Sequence, residues 1–207
     1  MLSAAGDIFI KRRNAINMQK RNLTGMQVQR LAYAALYLAL ALVLPFVTGQ
    51  IPEIGSMLCP MHLPVLLCGF MCGGFWGLAV GFIAPLLRSV LFGMPAMFPA
   101  AVAMAFELAV YGAMAGWLRQ ALPRTRAMTY VVLILSMAAG RVIWGTVRLL
   151  LAGLSGNSFT WTLFLAGAFT NAIPGIILQL VLIPVLVIAM ERAGLSLNRE
   201  KAAAGRA

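Results

Sequence analysis

The chain has 207 residues, 62% of them hydrophobic and 10% charged, and a mean hydropathy of +0.92; ordinary soluble domains run at about 45–50% apolar and about 25% charged. The apolar residues come in long blocks, which excludes disordered, collagen-like and disulfide-scaffold classes, and the three cysteines Cys59, Cys68 and Cys72 lack metal-site spacing. The net charge of +11 would point a soluble protein toward nucleic acid, but in a polytopic membrane protein it reports on cytoplasmic loops, and no nucleic-acid partner is expected.

Residues 1–30 are mixed and basic, with Lys11, Arg12, Arg13, Lys20, Arg21 and Arg30 against Asp7. They read as a cytoplasmic segment over 1–27, not a cleavable signal, because a full-length apolar span follows without a small-residue cleavage site. The first helix is predicted from Leu31 to about Val47, and the stretch TGQIPEIGS after it forbids continued helix through its Pro and Gly. From Met57 to Leu87 there is no formal charge and only His62, a run too long for one span. Gly73, Gly74 and Gly77 divide it into two predicted helices, about 59–73 and 76–92. A Pro-containing loop (Gly93, Pro95, Pro99) leads to a fourth helix at about 98–118, ended by the basic connector 119–126. A fifth helix at about 128–151, a polar loop GLSGNSFT and a sixth helix at about 162–190 complete the membrane domain of 28–192, before a polar tail over 193–207.

Charge tests the count. Cytoplasmic loops are enriched in Lys and Arg. Six helices put the N-terminal segment, the 119–126 connector and the tail residues Arg192, Arg199, Lys201 and Arg206 on one side. Five would leave the connector outside. The expectation is an all-α membrane protein of six transmembrane helices in one bundle, with both termini cytoplasmic.

Small residues mark expected helix contacts. Gly69, Gly73, Gly77 and Gly81 read as a four-residue ladder across the second and third helices, and Ala101, Ala105, Ala109 and Ala113, beside Gly112 and Gly116, as another on the fourth. Both suit packing within the bundle. Ala35 and Ala39 are a separate small pair on helix one.

Ionisable residues inside spans are costly and face the bundle interior or a cavity. Arg88 is expected at the outer end of helix three, and Arg148 near the outer end of helix five. Arg141 lies two turns deeper on the same face, with Trp144 between them. Glu107 is expected about 13 Å in from the outer end of helix four at 1.5 Å per residue, and Asn171 on helix six is similarly deep. Glu107 reads either as a structural ion pair with Arg141 or as a ligand contact, Arg88 as a snorkelling residue or a ligand contact, and His62 as a helix-start residue or a ligand contact. Trp144, Trp161, Phe92 and Phe98 suit interfacial anchors or pocket walls. Three arginines against one glutamate leave a positive excess that an anionic ligand would complete, since guanidinium binds carboxylate through paired donors.

No G-x-x-x-x-G-K-[ST] loop is present, with lysine only at 11, 20 and 201, and there is no H-E-x-x-H, intramembrane Ser-Lys pair or paired-carboxylate motif. An enzyme is not expected, nor a cofactor. No inverted repeat is visible, which weakens the reading as a stand-alone carrier.

The basic run into a helix carrying Ala35 and Ala39, the loop TGQIPEIGSM, the stretch CPMHLPVLLCGFMCGGFWGLAVGFIAPLLRSVLFG and the late NAIPGIILQLVLIPVL resemble the substrate-binding S components of energy-coupling factor (ECF) transporters. The likeness covers about residues 28–192, and His62-Leu-Pro64 opening a Gly-rich helix pair is its most specific part. The resemblance implies a multi-pass protein of the bacterial plasma membrane that binds a vitamin or related micronutrient near the outer surface. It also implies a membrane coupling protein and two cytoplasmic ATPases as partners, and toppling in the bilayer to deliver substrate. On this chain the lids would be about 48–60 and 152–162, the pocket candidates Arg88, Glu107, Trp144, Arg148 and Asn171 with His62 and Arg141 behind them, and the face toward the coupling protein Ala35 and Ala39. Arginines with few aromatics suit a flexible acid, so pantothenate is favoured, then folate or riboflavin, then a queuosine precursor. Readings from other classes are a secondary transporter of a small organic acid, which would accumulate substrate alone on an ion gradient, and a membrane assembly protein, which would bind no small molecule.

Overall fold

A computed structural model describes the backbone of residues 2–47, 58–154, 160, 173–195 and 197, and side chains from residue 24 onward within those ranges. Its elements are all helical among the described residues: α1 (Leu2–Val47), α2 (His62–Cys72), α3 (Gly74–Phe92), a π-helical turn (Met97–Ala101), α4 (Val102–Ala121), α5 (Arg126–Leu154) and α6 (Ile173–Arg192). Five stretches are long and apolar enough to cross a bilayer: Thr24–Val47, Gly74–Phe92, Met97–Ala121, Arg126–Leu154 and Ile173–Arg192. These spans make the chain a multi-pass membrane protein.

The sixth helix is different in kind. α2 has 11 residues, about 16 Å at 1.5 Å per residue and half of a ~30 Å hydrocarbon core. All of its residues are buried, the arrangement expected of a helix that is apolar on every face. The predicted range of about 59–73 is too long at both ends. Gly73 adopts φ 103°, a backbone region that disfavours any side chain, and folds α2 back onto α3. The expected division of the run at Gly73, Gly74 and Gly77 is placed at Gly73 by this turn. Gly73 supplies the reversal, Gly69 stays on α2, and Gly77 and Gly81 pass to α3.

The glycines meet one another and α4. A Cβ on Gly77 would lie 2.8 Å from the Gly69 Cα and overlap the Gly112 carbonyl oxygen, and one on Gly69 would meet that same carbonyl. Gly81 rests on the Leu108 carbonyl and Gly116 on the Gly74 backbone. Three helices thus share one backbone-to-backbone contact, as small residues permit in lipid. Ala101, Ala105, Ala109 and Ala113 are all buried within the bundle, in keeping with their intramolecular reading.

Helix boundaries shift elsewhere for local reasons. α1 continues back through the basic segment to Leu2, well before the predicted start at Leu31, because no proline interrupts it before Pro45. The fourth span opens with a kinked π turn in which Phe98 leaves helical geometry, next to Pro99. α3 closes on Gly93 in the left-handed region at φ 70°, the usual glycine stop. The start of the predicted sixth helix at 162, and most of both expected lids, lie outside the described residues.

Contacts between elements define two ends. Arg119 at the C-terminal end of α4 donates to both carboxylate oxygens of Glu191 on α6 at 2.8 and 2.9 Å. Arg124 lies 4.0 Å from the same carboxylate, and Arg30 of α1 donates to the Leu197 carbonyl at 2.8 Å. This basic end therefore gathers the 119–126 connector, the start of the first span and the end of the last. Arg119 is only 2% exposed, so truncating its partner, Glu191→Ala, is expected to cost about 2 kcal/mol, readable as a lower melting temperature in detergent. The opposite end carries Val47, the π turn, the end of α5 and the start of α6.

Candidate functional site

The charged candidates on the described helices fall into two groups. The deeper one gathers on Glu107 of α4, which is 1% exposed. Arg141 of α5 places Nη1 3.0 Å from Glu107 Oε1, and His62, the first residue of α2, places Nε2 3.5 Å from the same oxygen. The ion pair anticipated for Glu107 and Arg141 is thus present, with His62 as a third member. Its backbone N–H is held by the Cys59 carbonyl at 3.0 Å, so the helix-start reading also describes it.

Local sequence explains how these side chains converge. Tyr111 follows Glu107 by one turn on the buried face of α4 and packs edge-on against the His62 ring at 5.2 Å. Gly140 lets the Tyr111 ring lie directly against α5, which brings Arg141, the next residue, to the carboxylate. Cys59 adopts φ 48°, uncommon for a residue with a side chain, and its Sγ accepts from Arg141 Nη2 at 3.8 Å. Sequence reasoning missed Tyr111 and Cys59. The signals were the i, i+4 spacing from Glu107 and the position three residues before His62.

The second group lies nearer the end away from Arg119. Arg88 of α3 is 3% exposed. Its guanidinium donates to the Leu42 carbonyl of α1 and lies over the rings of Phe46 at 4.9 Å and Phe92 at 5.3 Å. The snorkelling reading is corrected here: two aromatic faces and a backbone acceptor hold the charge inside the bundle. Arg148 stacks over Trp144 at 5.6 Å, one turn apart on α5.

The structure therefore brings Glu107, Arg141 and His62 into one cluster and pairs Trp144 with Arg148 on the part of the same helix away from Arg119. Arg88 makes its described contacts with α1 and with its own helix. Asn171 and Trp161 lie outside the described residues. Among the described residues no group of three or more His, Cys, Asp or Glu side chains is arranged to hold a metal ion. Ala35 and Ala39 are exposed on α1, in a face that also exposes Leu31, Leu36, Leu40 and Val43.

Chemically, the arrangement offers a neutralised polar floor at mid-depth and guanidinium groups above it, framed by aromatic rings. That suits binding and orienting a polar solute. A family model described as ECF transporter, substrate-specific component, matches residues 29–187. No curated protein and no solved structure matches the chain.

Proposed function

Because this chain belongs to the substrate-specific components of ECF transporters, we propose that it captures a small organic acid of the vitamin class, pantothenate first among them, and passes it inward with an ATPase module. Membership makes it a membrane transporter subunit of a family that is not one of enzymes. The acid, the side of capture and the partners are the proposal.

One observation carries the choice of an acid. From the level of Glu107 to the end away from Arg119, the described helices hold Arg88, Arg141 and Arg148 against Glu107, and the segment 48–60 adds one further carboxylate, Glu53. An anion entering there gains guanidinium donors, with the Trp144 ring stacked against Arg148. Asn171 and the segments 48–60 and 152–162 complete the proposed site as wall and lids. By the bias of Lys and Arg toward the cytoplasm, the Arg119 end is the inner one, with 1–27 and 193–207 cytoplasmic and the guanidinium groups facing outward. The proposed location is the bacterial plasma membrane.

The exposed Ala35 and Ala39 are the proposed face for a membrane coupling protein, which would join the chain to two cytoplasmic ATPases. Small side chains there admit close approach of another helix.

Calorimetric titration of the purified chain in detergent with pantothenate, folate, riboflavin and a queuosine precursor tests the reading. Nanomolar binding of one acid is expected, and binding by none would remove it. Arg148→Ala is expected to weaken binding of that acid at least about tenfold, about 1.4 kcal/mol, without lowering the melting temperature of the ligand-free protein. Unchanged affinity in the folded variant would take Arg148 out of the site.

A further inference from the structure

Gln179 of α6 is a buried polar side chain that the site described above does not use. It is 1% exposed, on the face that also buries Gly175, Ile183, Pro184 and Val187, and both its Nε2 and its Oε1 lack a hydrogen-bond partner. An amide held unpaired in an apolar interior is unfavourable. Leu or Met would fill similar volume without that cost. A polar group kept under those conditions points to a partner beyond the described side chains, an ordered water or a ligand.

Its depth follows from the Arg119–Glu191 pair. α4 and α6 both run toward that pair, so they are parallel. Glu107 lies twelve residues before Arg119, and Gln179 twelve residues before Glu191. At 1.5 Å per residue both are about 18 Å from the pair, so Gln179 sits at about the level of the Glu107 cluster. α2, which brings His62 to that cluster, packs against α4 and α6 alike. His62 Nδ1 and Arg141 Nε are also buried without a hydrogen-bond partner. Unmet polar atoms from α2, α5 and α6 therefore collect at one depth, about 10 Å below Arg148 as measured by the seven residues from Arg141.

We propose that Gln179 is the deep end of the substrate site, where its amide pairs with an amide, lactam or hydroxyl group of a substrate whose acid group is held above it by Arg148. A primary amide presents a donor and an acceptor side by side, so its best complement is a group that offers both. The substrate class is accordingly an elongated acid with a neutral hydrogen-bonding group at its far end. This rests on the proposed function and adds to it a second recognition point.

The test is titration of the wild-type chain and Gln179→Met with pantothenate, folate and riboflavin, together with thermal melting of both proteins without ligand. The expected result is at least tenfold weaker binding by Gln179→Met of the compound that the wild type binds, with a ligand-free melting temperature equal to or above that of the wild type. Equal affinity in the two proteins would overturn this inference and leave the proposed function standing, and so would a lowered melting temperature with affinity unchanged. Failure of the wild type to bind any of the three would overturn both. Should Gln179→Met not fold, Gln179→Leu, also apolar and of similar volume, is compared in the same way.

Discussion

Replacing Glu107 with Leu is expected to destabilise the detergent-solubilised bundle by about 3–5 kcal/mol, and replacing Arg141 with Leu in the same chain is expected to recover most of that loss. The asymmetry comes from desolvation. Glu107 is 1% and Arg141 7% exposed, so neither charge can turn to water when its partner is removed. Taking away the carboxylate strands a guanidinium whose other described contact is the weak Cys59 acceptor. Taking away both leaves an apolar gap of roughly matching volume, which costs far less. Equilibrium or thermal unfolding of the two single variants and the double variant gives the coupling directly. Additive losses would show that the two side chains do not act as a pair. The same variants separate structure from binding: a stable double variant that still binds substrate assigns the pair to the scaffold, and one that no longer binds assigns it to the site.

Gly112→Val is expected to be as damaging, at about 3 kcal/mol or more, and to leave little folded protein by size-exclusion chromatography. A side chain at Gly112 would run into the Gly77 carbonyl, and the atoms it meets are backbone, which cannot rotate aside as the end of a flexible side chain can. α2 and α3 both rest on this residue, so pushing one helix away also opens the contact of the other. Gly153→Ala is the control. It lies in the exposed last turn of α5 with nothing within 4 Å of an added Cβ, and is expected to be neutral or to stabilise by about 0.5–1 kcal/mol. A comparable loss from both substitutions would mean that the shared glycine contact does not hold the bundle.

Much of the fold was legible because lipid leaves few choices. Backbone groups without water must pair within a helix, so the apolar blocks around 31–47, 76–92, 98–118 and 128–151 read directly as spans. Arg88, Glu107, Arg141 and Arg148 stood out because a charge in a span is rare. The spacing of Arg141 and Arg148 and the partnership of Glu107 with Arg141 followed from helical periodicity and charge balance. His62 was singled out too, with its role left open between two readings that the geometry turns out to join.

Other features were hidden for a physical reason. Glycines at 69, 73, 74 and 77 mark a division of the apolar run without saying which of them turns the chain, and the backbone of Gly73 alone does so. Arg119 reads as an ordinary cytoplasmic basic residue until α6 folds back and sets Glu191 against it. Arg88 at a helix end has the pattern of a snorkelling side chain, and only the approach of α1, with Phe46 and the Leu42 carbonyl, keeps it inside. Gln179 carries no charge and interrupts its apolar run by a single residue, so no local signal marks it.

The sequence by itself determined that the chain spans a membrane, that most of its charge falls at the ends and connections of the spans, and which family its motifs resemble. These properties depend on composition and on periodicity within single helices, and the bilayer imposes them locally. The tertiary structure alone decided that α2 is a short buried helix, that three glycines from three helices meet at one point, and that His62, Glu107, Tyr111 and Arg141 share one buried cluster. Each of those outcomes depends on which faces of different helices touch and at what depth, and helix-to-helix register is a long-range property that no local run of residues encodes.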